Sequence, residues 1–127
     1  MNDNAQETLL VVDDVPANIA ILADILGSDY RVTFATSGRD ALTAAQAQPP
    51  PSLILMDVMM PEFGGLEVVR KIKEYRRLAR VPILMMTGNS EKDIVIKSRK
   101  VGACGFIVKP FSRDLLLTKV REALRSA

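Results

Sequence analysis

Four short stretches of this chain are almost continuously apolar: residues 8–12, 52–56, 83–86 and 105–108. Runs of four or five residues without polar alternation suit strands covered on both faces, and such strands belong to a mostly parallel sheet. A fifth run, 31–35, alternates through Val32 and Phe34 and reads as an edge strand. Longer segments lie between the runs, of the length that crossovers between parallel strands need.

Those segments carry helical spacing. Ile19, Leu22 and Leu26 share one face, with Pro16 in the first turn and Gly27 as a stop. Ala41, Leu42 and Ala45 follow Ser37, with Asp40 three positions on as in a capping box, and the prolines 49–51 end that helix. Leu66, Val69 and Ile72 predict a third helix opened by Gly64 and Gly65. Ile94, Ser98 and Val101 predict a fourth, and Leu116, Val120 and Leu124 a fifth. Strand alternating with helix five times gives an α/β layered sheet with right-handed crossovers. At 127 residues this is one domain, able to bury roughly two-thirds of its unfolded surface without staples. Residues 1–7 are expected to form a flexible N-terminus ahead of a domain over 8–127.

The chain has no histidine. That removes Ser-His-Asp and Cys-His catalysis and imidazole metal ligands. The single cysteine, Cys104, has no internal disulfide partner, which favours a reducing compartment. The polar start is not a signal peptide and no apolar run approaches membrane-spanning length, so a cytoplasmic location without membrane insertion is expected. A net charge of +2 makes no case for nucleic acid. The remaining chemistry must run on carboxylates, hydroxyls and lysine, with or without a hard cation.

Each buried run ends at such a group: Asp13 and Asp14 after 8–12, Asp57 after 52–56, Thr87 after 83–86 and Lys109 after 105–108. Ligands of open parallel sheets bind outside the carboxyl ends of the strands, so these side chains are expected to converge. Clustered carboxylates repel one another unless a cation lies among them, and an all-oxygen donor set selects Mg²⁺ or a similar hard ion. A carboxylate can attack phosphorus, and phosphoryl transfer needs mainly alignment and neutralised oxygens. Lys109 would neutralise charge, Thr87 would donate its hydroxyl, and Gly88 would leave room beside the strand end.

The sequence resembles response-regulator receiver domains of two-component signalling, of the CheY-like type. The matching pieces are LLVVDD at 9–14, LILMDVMMPEFGG at 53–65, PILMMTG at 82–88 and GACGFIVKPF at 102–111. The resemblance implies a flavodoxin-like five-stranded parallel sheet of order 2-1-3-4-5. It implies that Asp57 is the phosphoacceptor and that Asp14 binds Mg²⁺ directly, with Asp13 acting through water and Met59 through its backbone carbonyl. Lys109 would pair with the phosphoryl group, with a commonly cis bond to Pro110, while Thr87 and Phe106 form the switch. The partners so implied are a sensor histidine kinase or histidine phosphotransfer protein and a downstream effector or attached output domain. Two departures stand out: Gly64 replaces the usual Asp or Asn, and Phe106 lacks the hydroxyl of the frequent tyrosine.

Taken singly, Asp13–Asp14 and Asp57 read as turn or cap residues, Thr87 as a helix cap and Lys109 as a surface charge. Together they populate four strand ends with one ligand chemistry. Met56, Met85 and Met86 read as core filler, and Arg70, Lys71, Lys73, Arg76, Arg77 and Arg80 as a solvated face, with docking of an acidic partner surface as the lesser alternative. The sequence therefore describes a switch, rather than an enzyme, that catalyses its own phosphorylation and slow dephosphorylation. Its output would be a changed affinity at the surface of the fourth helix, fifth strand and fifth helix. An aspartyl phosphatase of the haloacid-dehalogenase type would want an Asp where Met59 stands. A flavodoxin-like FMN module would want a Ser/Thr-Gly-rich loop where Asp13 and Asp14 stand.

Overall fold

The computed structural model describes residues 7–58, 64–88 and 92–126. Five parallel strands, β1 (Thr8–Val12), β2 (Arg31–Ala35), β3 (Leu53–Asp57), β4 (Ile83–Thr87) and β5 (Gly105–Val108), form one sheet in the order β2-β1-β3-β4-β5. The helices are α1 (Pro16–Leu26), α2 (Gly38–Ala45), α3 (Gly65–Lys73), α4 (Lys92–Val101) and α5 (Arg113–Ser126), with a 3-10 turn at Arg76–Leu78. This is the flavodoxin-like arrangement, and β1, β3 and β4 are the strands buried on both faces, as their continuous apolar runs required.

Strand alternation divides the interior into two layers. Leu9, Val11, Leu53, Leu55, Leu84, Met86 and Ile107 pack with Ile19, Leu22 and Leu26 of α1 and Leu116 and Val120 of α5. Leu10, Val12, Ile54, Met56, Ile83 and Met85 pack with Ala41 and Ala45 of α2 and Val68, Val69 and Ile72 of α3. Met56, Met85 and Met86 are fully buried, in keeping with a filling role.

Several local details differ from the pattern. Phe34 does not turn its ring inward: it is 64% exposed on the edge strand, and its neighbour Ala35 is the buried residue, packed near α2. In α3 the buried stripe includes Val68, while Leu66 is only partly covered. The Ser37 hydroxyl does accept from the Asp40 amide at 3.0 Å, but α2 ends at Ala45, ahead of the prolines. The side chain of Ile94 lies outside the described residues.

The basic run is less uniform than a solvated face. Arg70 and Lys71 pair with Glu67, and Arg70 also with Glu74, on the exposed side of α3. Lys73, by contrast, turns inward: its Nζ donates to the carbonyls of Ala79 at 3.0 Å and Val81 at 2.7 Å. Its stem passes under Gly102, whose φ of 113° and lack of a side chain make that approach feasible; a Cβ there would lie 2.9 Å from Lys73 Cγ. Burial pushes the Lys73 ammonium below its ordinary value. Arg77 donates to the carbonyl of Gln46 at 3.0 Å, beyond the end of α2.

Candidate phosphoacceptor site

The carboxyl ends of β1, β3, β4 and β5 place the site. Register pairs Val12 with Met56, Asp57 with Met86, and Thr87 with Val108, so the polar strand ends line up along one rim. Backbone bonds continue the sheet past its ends: Asp13 N donates to Ala35 O, Val58 N to Met86 O, and Lys109 N to Thr87 O at 2.7 Å. Gly65 then brings the first turn of α3 onto the Asp57 peptide. A Cβ at that position would overlap the Asp57 carbonyl oxygen and lie 2.9 Å from its carbon and from Val58 Cα. Only glycine permits so close an approach.

Carboxylate oxygens of Asp13, Asp14 and Asp57 all lie within 4.8 Å of one another. Asp13 is fully buried, the Asp57 residue is 5% exposed, and Asp14 is half-buried toward solvent. Lys109 Nζ stands between two of them, 3.5 Å from Asp13 Oδ2 and 3.7 Å from Asp57 Oδ2. One ammonium cannot balance three adjacent carboxylates, and the donors are oxygen only, so the residues fit a hard divalent cation such as Mg²⁺. The Lys109–Pro110 peptide is cis. A Cβ on Gly88 would meet no atom of the described residues within 4 Å.

Thr87 is 2% exposed and follows Ile83 and Met85 in alternation, which puts it on the α3-side face together with Phe106, the partner of Met85. Asp57 follows Leu53 and Leu55, on the α1–α5 face. Phe106 is partly buried, and Lys119 Nζ of α5 lies 5.9 Å from its ring centroid. Met59 lies outside the described residues.

One contributor was missed from sequence. Asn18, in the first turn of α1, directs its Nδ2 at both oxygens of Asp13, at 3.4 and 3.3 Å. An asparagine five residues after an aspartate in a helical segment reads as surface polarity, and only the entry direction of α1 brings the two together.

The model of the response regulator receiver domain family matches residues 9–121. The chain belongs to the response-regulator receiver family. It is 37% identical over 126 residues to a Vibrio cholerae protein named "Probable cyclic di-GMP phosphodiesterase"; the match covers 99% of this chain and 28% of that protein. Among solved structures it superposes on the Vibrio cholerae chemotaxis protein CheY4 with a TM-score of 0.89 at 32% identity, covering 94% of this chain and 99% of the other. The receiver domain of the Pseudomonas aeruginosa sensor histidine kinase PA1611, solved with magnesium coordinated in its active-site cleft, gives a TM-score of 0.84 at 29% identity, with 94% and 98% covered. The receiver family is a signalling switch of two-component systems, and among the described residues no helix is long and apolar enough to cross a membrane. Nothing in the sequence or comparisons favours the phosphatase or flavin-module alternatives.

Proposed function

We propose that residues 8–127 form a receiver unit in which Asp57 accepts a phosphoryl group from a phosphohistidine of a sensor kinase or phosphotransfer protein in the cytoplasm. The observation that carries this reading is the meeting of three carboxylates within 4.8 Å with Lys109 Nζ 3.7 Å from Asp57 Oδ2 at the carboxyl rim of the sheet. An Asp57 carboxylate oxygen attacks phosphorus and the P–N bond breaks. The bonding pair stays on the imidazole nitrogen, which takes up a proton, and Asp57 is left as an acyl phosphate. Lys109 neutralises charge on the transferred oxygens, and the Thr87 hydroxyl donates to one of them. Asp14 and Asp57 would hold Mg²⁺ directly, Asp13 through water and Met59 through its carbonyl. Bound there, the ion supplies further neutralisation of phosphoryl charge.

The acquired charge then draws Thr87 toward Asp57, and Phe106, on the same sheet face as Thr87, repacks into the space released. The surface formed by α4, β5 and α5 changes its affinity for an effector or an attached output domain. The activity is that of a switch with self-catalysed phosphorylation and slow self-dephosphorylation. Intact-mass analysis after acetyl phosphate and Mg²⁺ tests the chemistry: one phosphate is expected on the wild type, none on Asp57→Asn and none in EDTA. A phosphate on the Asp57→Asn chain would move the acceptor elsewhere.

A further inference from the structure

We propose that Asn18 is a positioning residue of this site, fixing the Asp13 carboxylate so that Lys109 is free to serve Asp57; the inference rests on the acceptor reading above. Asp13 is fully buried, and among the described residues its two oxygens share three donors. The Val15 amide holds Oδ1 at 2.9 Å, Lys109 Nζ approaches Oδ2 at 3.5 Å, and Asn18 Nδ2 spans both, at 3.4 and 3.3 Å. The three differ in permanence. The Val15 N–H fixes one oxygen and leaves rotation of the carboxylate open, since the terminal torsion of Asp is broad. Lys109 is long, flexible and shared with Asp57 at 3.7 Å, so a phosphoryl group on Asp57 competes for it. Asn18 is neutral, and it sits on the first turn of a helix held to the core by Ile19 and Leu22. It is the donor to Oδ2 that a change of charge at Asp57 does not recruit away.

A buried carboxylate that loses a donor is destabilised unless another replaces it. With Asn18 in place, Asp13 keeps a partner when Lys109 moves to the phosphoryl oxygens. Without it, Asp13 holds Lys109 and turns away from the cation site. Outer partners of metal-directed carboxylates typically matter at the level of ten- to a hundred-fold in affinity. Because these contacts are long, the lower end of that range applies.

Mg²⁺ alone is titrated into the wild type, Asn18→Ala, Asn18→Leu, Asp13→Asn and the Asp13→Asn/Asn18→Ala pair, followed by amide NMR shifts with no phosphodonor present. Both Asn18 variants are expected to bind Mg²⁺ about tenfold more weakly than wild type. Leu approximates the size of Asn without its donor, so agreement between the two assigns the loss to the hydrogen bonds. Asn18→Ala is expected to cost nothing further once Asp13 is Asn. In the metal-free protein the Val15 amide, whose partner is Asp13 Oδ1, is expected to shift in Asn18→Ala. Wild-type affinity in both Asn18 variants overturns the inference, as does a tenfold loss that persists in the Asp13→Asn background. A wild type that binds no Mg²⁺ overturns the metal assignment itself, and this inference with it.

Discussion

Replacing Gly65 with alanine tests how tightly Asp57, the proposed acceptor, is held. The added Cβ would overlap the Asp57 carbonyl oxygen and lie 2.9 Å from two further backbone atoms, the Asp57 carbonyl carbon and Val58 Cα. None of these is the end of a flexible side chain, so either α3 or the Asp57–Val58 peptide must retreat, by about 1 Å. Overpacking of this kind costs about 1–3 kcal/mol. Alanine's better helix propensity offsets at most about 1 kcal/mol, leaving a net loss near 1–2 kcal/mol. The effect on transfer is larger, because a misplacement of about 1 Å in an aligned reaction costs about a hundredfold in rate. Gly64→Ala is the matched control: among the described residues the added Cβ comes no nearer than 3.8 Å, to the Val58 carbonyl oxygen, and the Gly64 φ of −68° suits any residue. Urea unfolding and the rate of acetyl phosphate labelling, measured on both variants, separate the two positions. If Gly65→Ala is as stable and as quickly labelled as Gly64→Ala, the close approach of α3 does not position Asp57.

Thr87→Ala is expected to accept phosphate but to confine amide shifts induced by beryllofluoride to the neighbourhood of Asp57, while wild-type shifts reach 95–108; long-range shifts of equal size in both would exclude coupling through Thr87. Lys73→Met keeps the buried stem but deletes the bonds to Ala79 and Val81, and with one of those bonds on the surface the expected loss is about 1–2 kcal/mol, seen as a lower urea midpoint at unchanged m. Burial raises the Tyr30 phenol above 10.0, with Arg121 opposing and Asp29 and Glu7 adding to it. The unfolded chain therefore releases this proton first, and the associated stability is present below pH 10.0 and lost as pH rises through the folded value. Tyr30→Phe is expected to flatten the alkaline limb of the stability–pH curve, and an unchanged slope would remove Tyr30 from its causes.

β1, β3 and β4 were readable because burial on both faces leaves no polar alternation, and the candidate site because β1, β3, β4 and β5 leave ligand-type residues, two of them after β1, at the same rim. Residues whose role depends on direction rather than spacing were harder to see. Lys73 looks like one more member of the basic run in the sequence, yet the carbonyls of Ala79 and Val81 take its ammonium and Gly102 leaves room for its stem. Phe34 has the right parity for burial but lies on the edge strand, where cover is incomplete. Val68 joins the core because the stripe on α3 is wider than one residue per turn. Asn18 depends on the start of α1, where the Asp13 carboxylate takes the Val15 amide and Pro16 opens the helix. Position-by-position reading has no access to that bend.

Strand alternation places Asp57 on the α1–α5 face and Thr87 and Phe106 on the opposite one, with the sheet between them. The consequence is an unequal division of labour among the helices. α2 packs on the sheet face opposite Asp57, while α5 packs on the Asp57 face and also belongs to the proposed output surface. A substitution on α5 is therefore the kind that would alter input and output together.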